Sequence, residues 1–214
     1  MHRTAAALVT FCLASAFAGA NPVDGEYSDL PQCDNHGSLL ALEELGELPL
    51  FPQDELIQTV WMFTNQIACP MTDDPTIPNV LVDMRNLSGR SWQDLFYVAD
   101  PETSLSNLDG EAMSYAAIGI HTPAFRIDAL GMNKNLVSET FTANHVFEPG
   151  EAWQFIIQDY ANSAGVPPSF GSLDFAGASA GDATSSGSIV QFVVPAPASM
   201  ALLGLAAFPL ARRR

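Results

Sequence analysis

Residues 79–87 read NVLVDMRNL, and their alternation points to the fold class. Successive side chains of an extended chain face opposite ways, so Val80, Val82 and Met84 share one face while Asp83 and Arg85 take the other. The same period of two recurs outward from this stretch. Residues 92–98 (WQDLFYV) set Trp92, Asp94, Phe96 and Val98 against Gln93, Leu95 and Tyr97. Residues 124–130 (AFRIDAL) send Phe125 and Ile127 inward and Arg126 and Asp128 outward, and residues 152–158 (AWQFIIQ) set Trp153, Phe155 and Ile157 opposite Gln154 and Gln158. Residues 188–194 (SIVQFVV) close the set, and 56–63 and 136–141 add two weaker candidates.

Turn-forming residues separate these runs: Asn86-Leu87-Ser88-Gly89, Asp100-Pro101, Asn107-Leu108-Asp109-Gly110 and Glu148-Pro149-Gly150. About seven or eight short strands with such punctuation predict a mainly β chain, an antiparallel β-sandwich. One segment departs from the pattern. Ser38 to Leu48 places leucines at 39, 40, 42, 45 and 48, a roughly helical spacing, and predicts one short N-terminal helix stopped by Pro49 and Pro52. No internal repeat is visible, and residues 170–188 form a small-residue-rich stretch expected to be a flexible loop.

The ends of the chain carry a different kind of signal. Arg3 precedes an apolar stretch from Ala5 to Phe17, followed by Ala18-Gly19-Ala20, the small-x-small pattern that signal peptidase requires. Residues 1–20 are therefore expected to be a cleaved signal peptide, with the ectodomain covering 21–194. The stretch is too short to span ~30 Å of hydrocarbon at ~1.5 Å per residue. The other end holds Pro195-Ala196-Pro197, an apolar run over 198–211, then Arg212-Arg213-Arg214. That run is shorter than the roughly 17–25 residues of a stable spanning helix, and Pro209 interrupts it. A terminal basic cluster stays on the cytoplasmic side of a membrane.

This tail, residues 195–214, resembles the PEP-CTERM sorting signal of exported bacterial proteins, with Ala196 in place of the glutamate of Pro-Glu-Pro. The resemblance implies transient anchoring in the membrane through a C-terminal hydrophobic helix and processing by an exosortase-like enzyme. A plain membrane anchor is the alternative. The segments NLSGRSWQDLFYVADPET, SNLDG, AFRID and FEPGEAWQFIIQDY, within 80–160, resemble a β-rich ectodomain of PEP-CTERM proteins from planctomycete-type bacteria. That second resemblance implies an exported surface protein and brings no catalytic residues with it.

Without its two ends the chain keeps Arg85, Arg90, Arg126 and Lys134 against all 24 acids, for a net charge of 4 − 24 = −20. Such a surface repels polyphosphates, which excludes nucleic acid as a partner. Cys12 lies in the signal, leaving Cys33 and Cys69 as an expected disulfide in an oxidising compartment; two free buried thiols are the alternative. On the chain-entropy model, closing a loop of about 37 residues stabilises by roughly 4 kcal/mol.

Chemistry is thin elsewhere. His36, His121 and His145 stand in no HExxH or HxH spacing, and His121 reads as a satisfied edge residue. Gly177-Ala178-Ser179-Ala180-Gly181 matches the letters of GxSxG, yet no apolar strand precedes it, no helix follows, and no later histidine could complete a triad. The many acid pairs read as solvated loop charges, and glycosidase chemistry needs two carboxyls in one cleft. Asn107, Asp109 and Glu111 offer hard oxygen ligands in a turn, a possible weak calcium site assisted by Asp100 and Glu102, although a plain turn fits better. No other cofactor is expected. Trp61, Trp92 and Trp153 read as core residues, whereas a row of them on the surface would fit sugar stacking. The expectation is a non-catalytic structural or adhesive protein of the cell surface, outer envelope or extracellular matrix. A module binding exopolysaccharide is the alternative, and a hydrolase the less favoured third.

Overall fold

The computed structural model describes residues 25–29, 39–44, 57–114, 121–128, 133–168 and 186–192. These contain strands and no helix. The strands are β1 (Gly25–Asp29), β2 (Leu39–Glu44), β3 (Ile57–Thr64), β4 (Asn79–Asn86), β5 (Leu95–Ala99) and β6 (Thr103–Ser104). They continue with β7 (Gly110–Ser114), β8 (His121–Arg126), β9 (Leu136–Glu139), β10 (Ala152–Ile157), β11 (Ala161–Asn162) and β12 (Gly187–Phe192).

Six strands form a closed antiparallel ring in the order β1-β2-β12-β5-β8-β7, with β7 pairing back onto β1. A second sheet has the order β3-β4-β10-β9, and β11 pairs with β6. Each strand of the ring contributes to an interior cluster of Tyr27, Leu42, Phe96, Val98, Ala112, Ala124 and Val190. A larger cluster lies between the ring's outer wall and the second sheet. Leu95, Tyr97, Ala99, Phe125 and Ile189 come from the wall, and Ile57, Val80, Val82, Met84, Leu136, Trp153, Phe155 and Ile157 from the sheet.

The strand β5 explains this layering. All five of its residues are buried, because Phe96 and Val98 point into the ring while Leu95, Tyr97 and Ala99 meet the second sheet. A strand covered on both faces has no polar side, which is why LFYVA reads as an apolar run. The facing layers therefore include one closed ring, rather than two open sheets.

Two expectations are corrected. The segment around Leu39–Glu44 is a strand, not a helix: its backbone pairs with β1 on one side and β12 on the other. Two flanking strands satisfy donors and acceptors that a short, Pro-bounded helix would leave open at its ends, and tertiary pairing overrides leucine spacing. In β8 and just beyond it, Arg126 and Asp128 were expected outward, but Asp128 is 2% exposed. Arg126 bonds both Asp128 oxygens, at 2.5 and 2.9 Å, and also reaches the Asp94 carboxylate. Its guanidinium lies 5.8 Å from the ring centroid of Phe96. The pair satisfies each charge with the other, which is the condition for burying either.

Two turns follow the sequence closely. Pro149 and Gly150 occupy the middle of a turn closed by Glu151 N–H donating to the Glu148 carbonyl at 3.0 Å, with Gly150 at φ 84°; this is type II chemistry. Asn86 accepts from Ser88 N–H at 2.9 Å and donates to the carbonyls of Arg90 and Phe147.

Candidate functional site

The connection between β3 and β4, residues 65–78, is long for two neighbouring antiparallel strands, and buried amides hold it in place. Gln158, fully buried just after β10, accepts from Cys69 N–H at 2.7 Å and donates back to the Cys69 carbonyl at 2.9 Å. Thr72 donates its hydroxyl to the Ser106 carbonyl at 2.7 Å. Asp159, at φ 53°, accepts from Asp74 N–H and donates its own N–H to Asn79. Asn79 in turn donates to the Gln66 carbonyl and, at 3.3 Å, to Asp73. Cys69 is fully buried and disulfide-bonded; its expected partner, Cys33, lies outside the described residues.

The ordered connection and the end of β3 frame a cleft of about 770 Å³. Its lining mixes Phe63, Ile67 and Ile77 with Thr64, Asn65 and Asp73, and contains no Lys or Arg. Phe63 is 66% exposed and stands edge-on to Trp61, 6.3 Å between centroids. Val60 and Met62 of β3, and Ile67 and Met71 of the connection, are exposed as well. A mixed cleft of this size is in the range of small-ligand sites. On its rim, hydrogen bonds from the Thr76 backbone and hydroxyl hold the Asp74 carboxyl below the usual carboxylate range.

The three calcium candidates do not form a free oxygen cluster. Asn107 donates to Asn135 and the Ile156 carbonyl and accepts from Gln158 N–H. Buried Asp109 accepts from the Tyr27 hydroxyl at 2.9 Å and from Asn133 at 3.4 Å. Glu111 pairs with His121 across β7 and β8 at 2.7 Å, so His121 has a partner, but β8 lies within the closed ring and His121 is not on a sheet edge. Asp100 is buried and accepts from the Thr103 hydroxyl. Among the described residues, no three His, Cys, Asp or Glu side chains are grouped to hold a metal ion.

Of the other singled-out residues, Trp92 and Trp153 are 2% and 0% exposed and lie in the core, while Trp61 packs against its edge. His145 places Nδ1 2.7 Å from the Asp128 carbonyl. Burial pushes three carboxyls above the usual carboxylate range: Asp100, Asp128 against its Arg126 pairing, and Glu151. Ala18, Ala20, Cys33, His36, the motif Pro195-Ala196-Pro197, Arg212 to Arg214 and the Gly177–Gly181 stretch all lie outside the described residues. Among the described residues, no helix is long and apolar enough to cross a membrane.

The cleft and its amide scaffold went unnoticed in the sequence. The available signal was MTDDPTIP, residues 71–78, a Pro- and Asp-rich connection longer than a hairpin needs. No protein-family model, curated protein or solved structure matches the chain.

Proposed function

We propose that this chain is an exported, non-catalytic protein of structural or adhesive type, displayed at the cell surface or released into the extracellular matrix. Its PEP-CTERM-like tail serves as the sorting signal, and signal peptidase and an exosortase-like enzyme act on its two ends. The ectodomain is a sandwich in the broad sense, a sheet layered on the wall of a ring. The observation that carries this reading is the set of exposed apolar side chains on β3 and the connection after it, Val60, Met62, Phe63, Ile67 and Met71, in an otherwise strongly acidic chain. Contiguous exposed apolar surface marks contact sites. The buried carboxylates Asp109 and Asp128 are occupied in holding loops and strands, not in facing the cleft.

Fractionation of the producing cells, with mass spectrometry of the C-terminus, tests the reading. The expected result is a surface or shed species lacking residues 198–214. An intact tail confined to the membrane fraction would refute the processing step and leave a plainly anchored ectodomain.

A second reading, recognition of a neutral exopolysaccharide, is favoured by one feature: the exposed Phe63 ring beside Asn65 and Asp73 in a cleft without basic residues. Aromatic faces stack on sugars, and the amide and carboxylate suit hydroxyl groups. Electrophoresis through gels containing the producing cell's own exopolysaccharide should retard the protein, and Phe63→Ala should abolish the retardation. Equal mobility with and without polysaccharide would count against it.

A further inference from the structure

The strand β3 ends the second sheet, pairing with β4 along all eight of its residues. Among the described residues, no strand pairs with its other edge. Its sequence, IQTVWMFT, contains no charge and no proline, and its outward residues Val60 and Met62 are 56% and 51% exposed. Natural edge strands are blunted by shortness, inward charges or proline. The opposite edge of the same sheet is blunted in that way, because β9 has four residues and ends on Glu139.

We propose that two copies of this chain join edge to edge through β3, forming one continuous eight-stranded sheet about a two-fold axis. A strand pairing antiparallel with its own copy must match odd-numbered positions with odd and even with even to keep each face continuous. Centring on Trp61 does this. Trp61 meets the partner's Trp61, Val60 meets the partner's Met62, Thr59 the partner's Phe63, and Gln58 the partner's Thr64. Each pair is apolar or neutral, so the strand is complementary to itself in the way an isologous interface requires.

Charge permits a second copy at this edge. Two full-length chains carrying −16 each repel where their acids approach, and β3 brings no acid of its own to the contact. The proposal goes beyond the sorting and adhesion reading and stands whatever the fate of the tail.

Sedimentation velocity of the full-length chain in non-ionic detergent tests it, since tail and detergent are common to every variant. Wild type should sediment as a dimer whose dissociation constant tightens at least tenfold between 0.01 and 0.5 M salt, as the Debye length falls from about 30 Å to under 8 Å. Val60→Glu/Met62→Glu places like charges directly opposite each other and should sediment as a monomer with an unchanged melting temperature. Leu87→Glu, exposed elsewhere, should remain a dimer. A monomeric wild type, or a double variant that dimerises like wild type, overturns the proposal. Should the double variant fail to fold, register decides instead. Chains carrying Val60→Cys mixed with chains carrying Met62→Cys should form a disulfide-linked heterodimer on non-reducing gels, and no cross-link there overturns the proposal equally.

Discussion

Gln158 shows how much a single buried amide can hold. Its oxygen and nitrogen close on the two backbone groups of Cys69, and the nitrogen also reaches the Ser106 hydroxyl at 2.8 Å. Replacing it with alanine leaves buried donors and acceptors without partners, so Gln158→Ala should cost about 2–4 kcal/mol in urea unfolding. Protease should then cut the 65–78 connection before the rest of the chain. Gly110 makes a second test, through space instead of hydrogen bonds. A Cβ there would lie 2.4 Å from the Tyr27 ring, which packs 4.4 Å from Phe96 inside the ring of strands. Gly110→Ala should lower stability by roughly 1–3 kcal/mol by overpacking, read by the same titration. Neither role was legible in sequence. Gln158 sits at the end of a clean alternation and reads as its polar face, and Gly110 reads as the last letter of a turn. Both depend on what approaches from distant positions in the chain.

At the level of elements, alternation succeeded wherever one face met the core. The residues Val80, Val82 and Met84 of β4, and Trp153, Phe155 and Ile157 of β10, are all 0% exposed, as their spacing predicts. In the ring it found β5, β8 and β12 but missed β1, β2 and β7. The segment Leu39–Glu44 lies between two partners that are distant in sequence, and no local pattern announces such partners. Turn chemistry held at Glu148–Gly150 but not at Asn107–Gly110, where the chain enters β7 without a turn, and it yields a paired prediction. Gly150 is at φ 84°, whereas Gly89 lies outside the left-handed region and has open space around its missing side chain. Gly150→Ala should therefore cost about 1–2 kcal/mol, while Gly89→Ala should stay within roughly 0.5 kcal/mol of wild type. Thermal melts of the two variants side by side check this. The cleft beside β3 was illegible for a related reason, since it is framed by a connection whose course is fixed by Asn79, Gln158 and Asp159 and not by its own periodicity.

For the molecule as a whole, charge and burial act in the same direction with pH. The carboxyls of Asp100, Asp128 and Glu151 are raised chiefly by burial. A carboxyl whose folded value lies above its unfolded value costs stability while ionised. That cost is relieved as pH falls through the folded value, and nothing more is gained below the unfolded one. Lowering pH from 7.5 to 5 begins this relief and also reduces mutual repulsion among the 24 acids. Asp74, lowered, keeps its contribution until the pH reaches the ordinary carboxylate range. The melting temperature should thus be higher at pH 5 than at pH 7.5, by roughly 2–4 °C; a lower value at pH 5 would contradict the assignment. The ring has one more consequence, in time instead of energy. The strand β2 pairs with β12 across about 150 residues of chain, Leu42 opposite Phe192, and β12 separates β2 from β5 in the ring. Closure must therefore wait for β12, the last strand among the described residues, to be available. Distant pairings of this kind make folding slow, on the order of milliseconds to seconds. A chain crossing a membrane N-terminus first would leave one edge of β2 and one edge of β5 without the partner that β12 supplies until nearly all of the domain had followed them through.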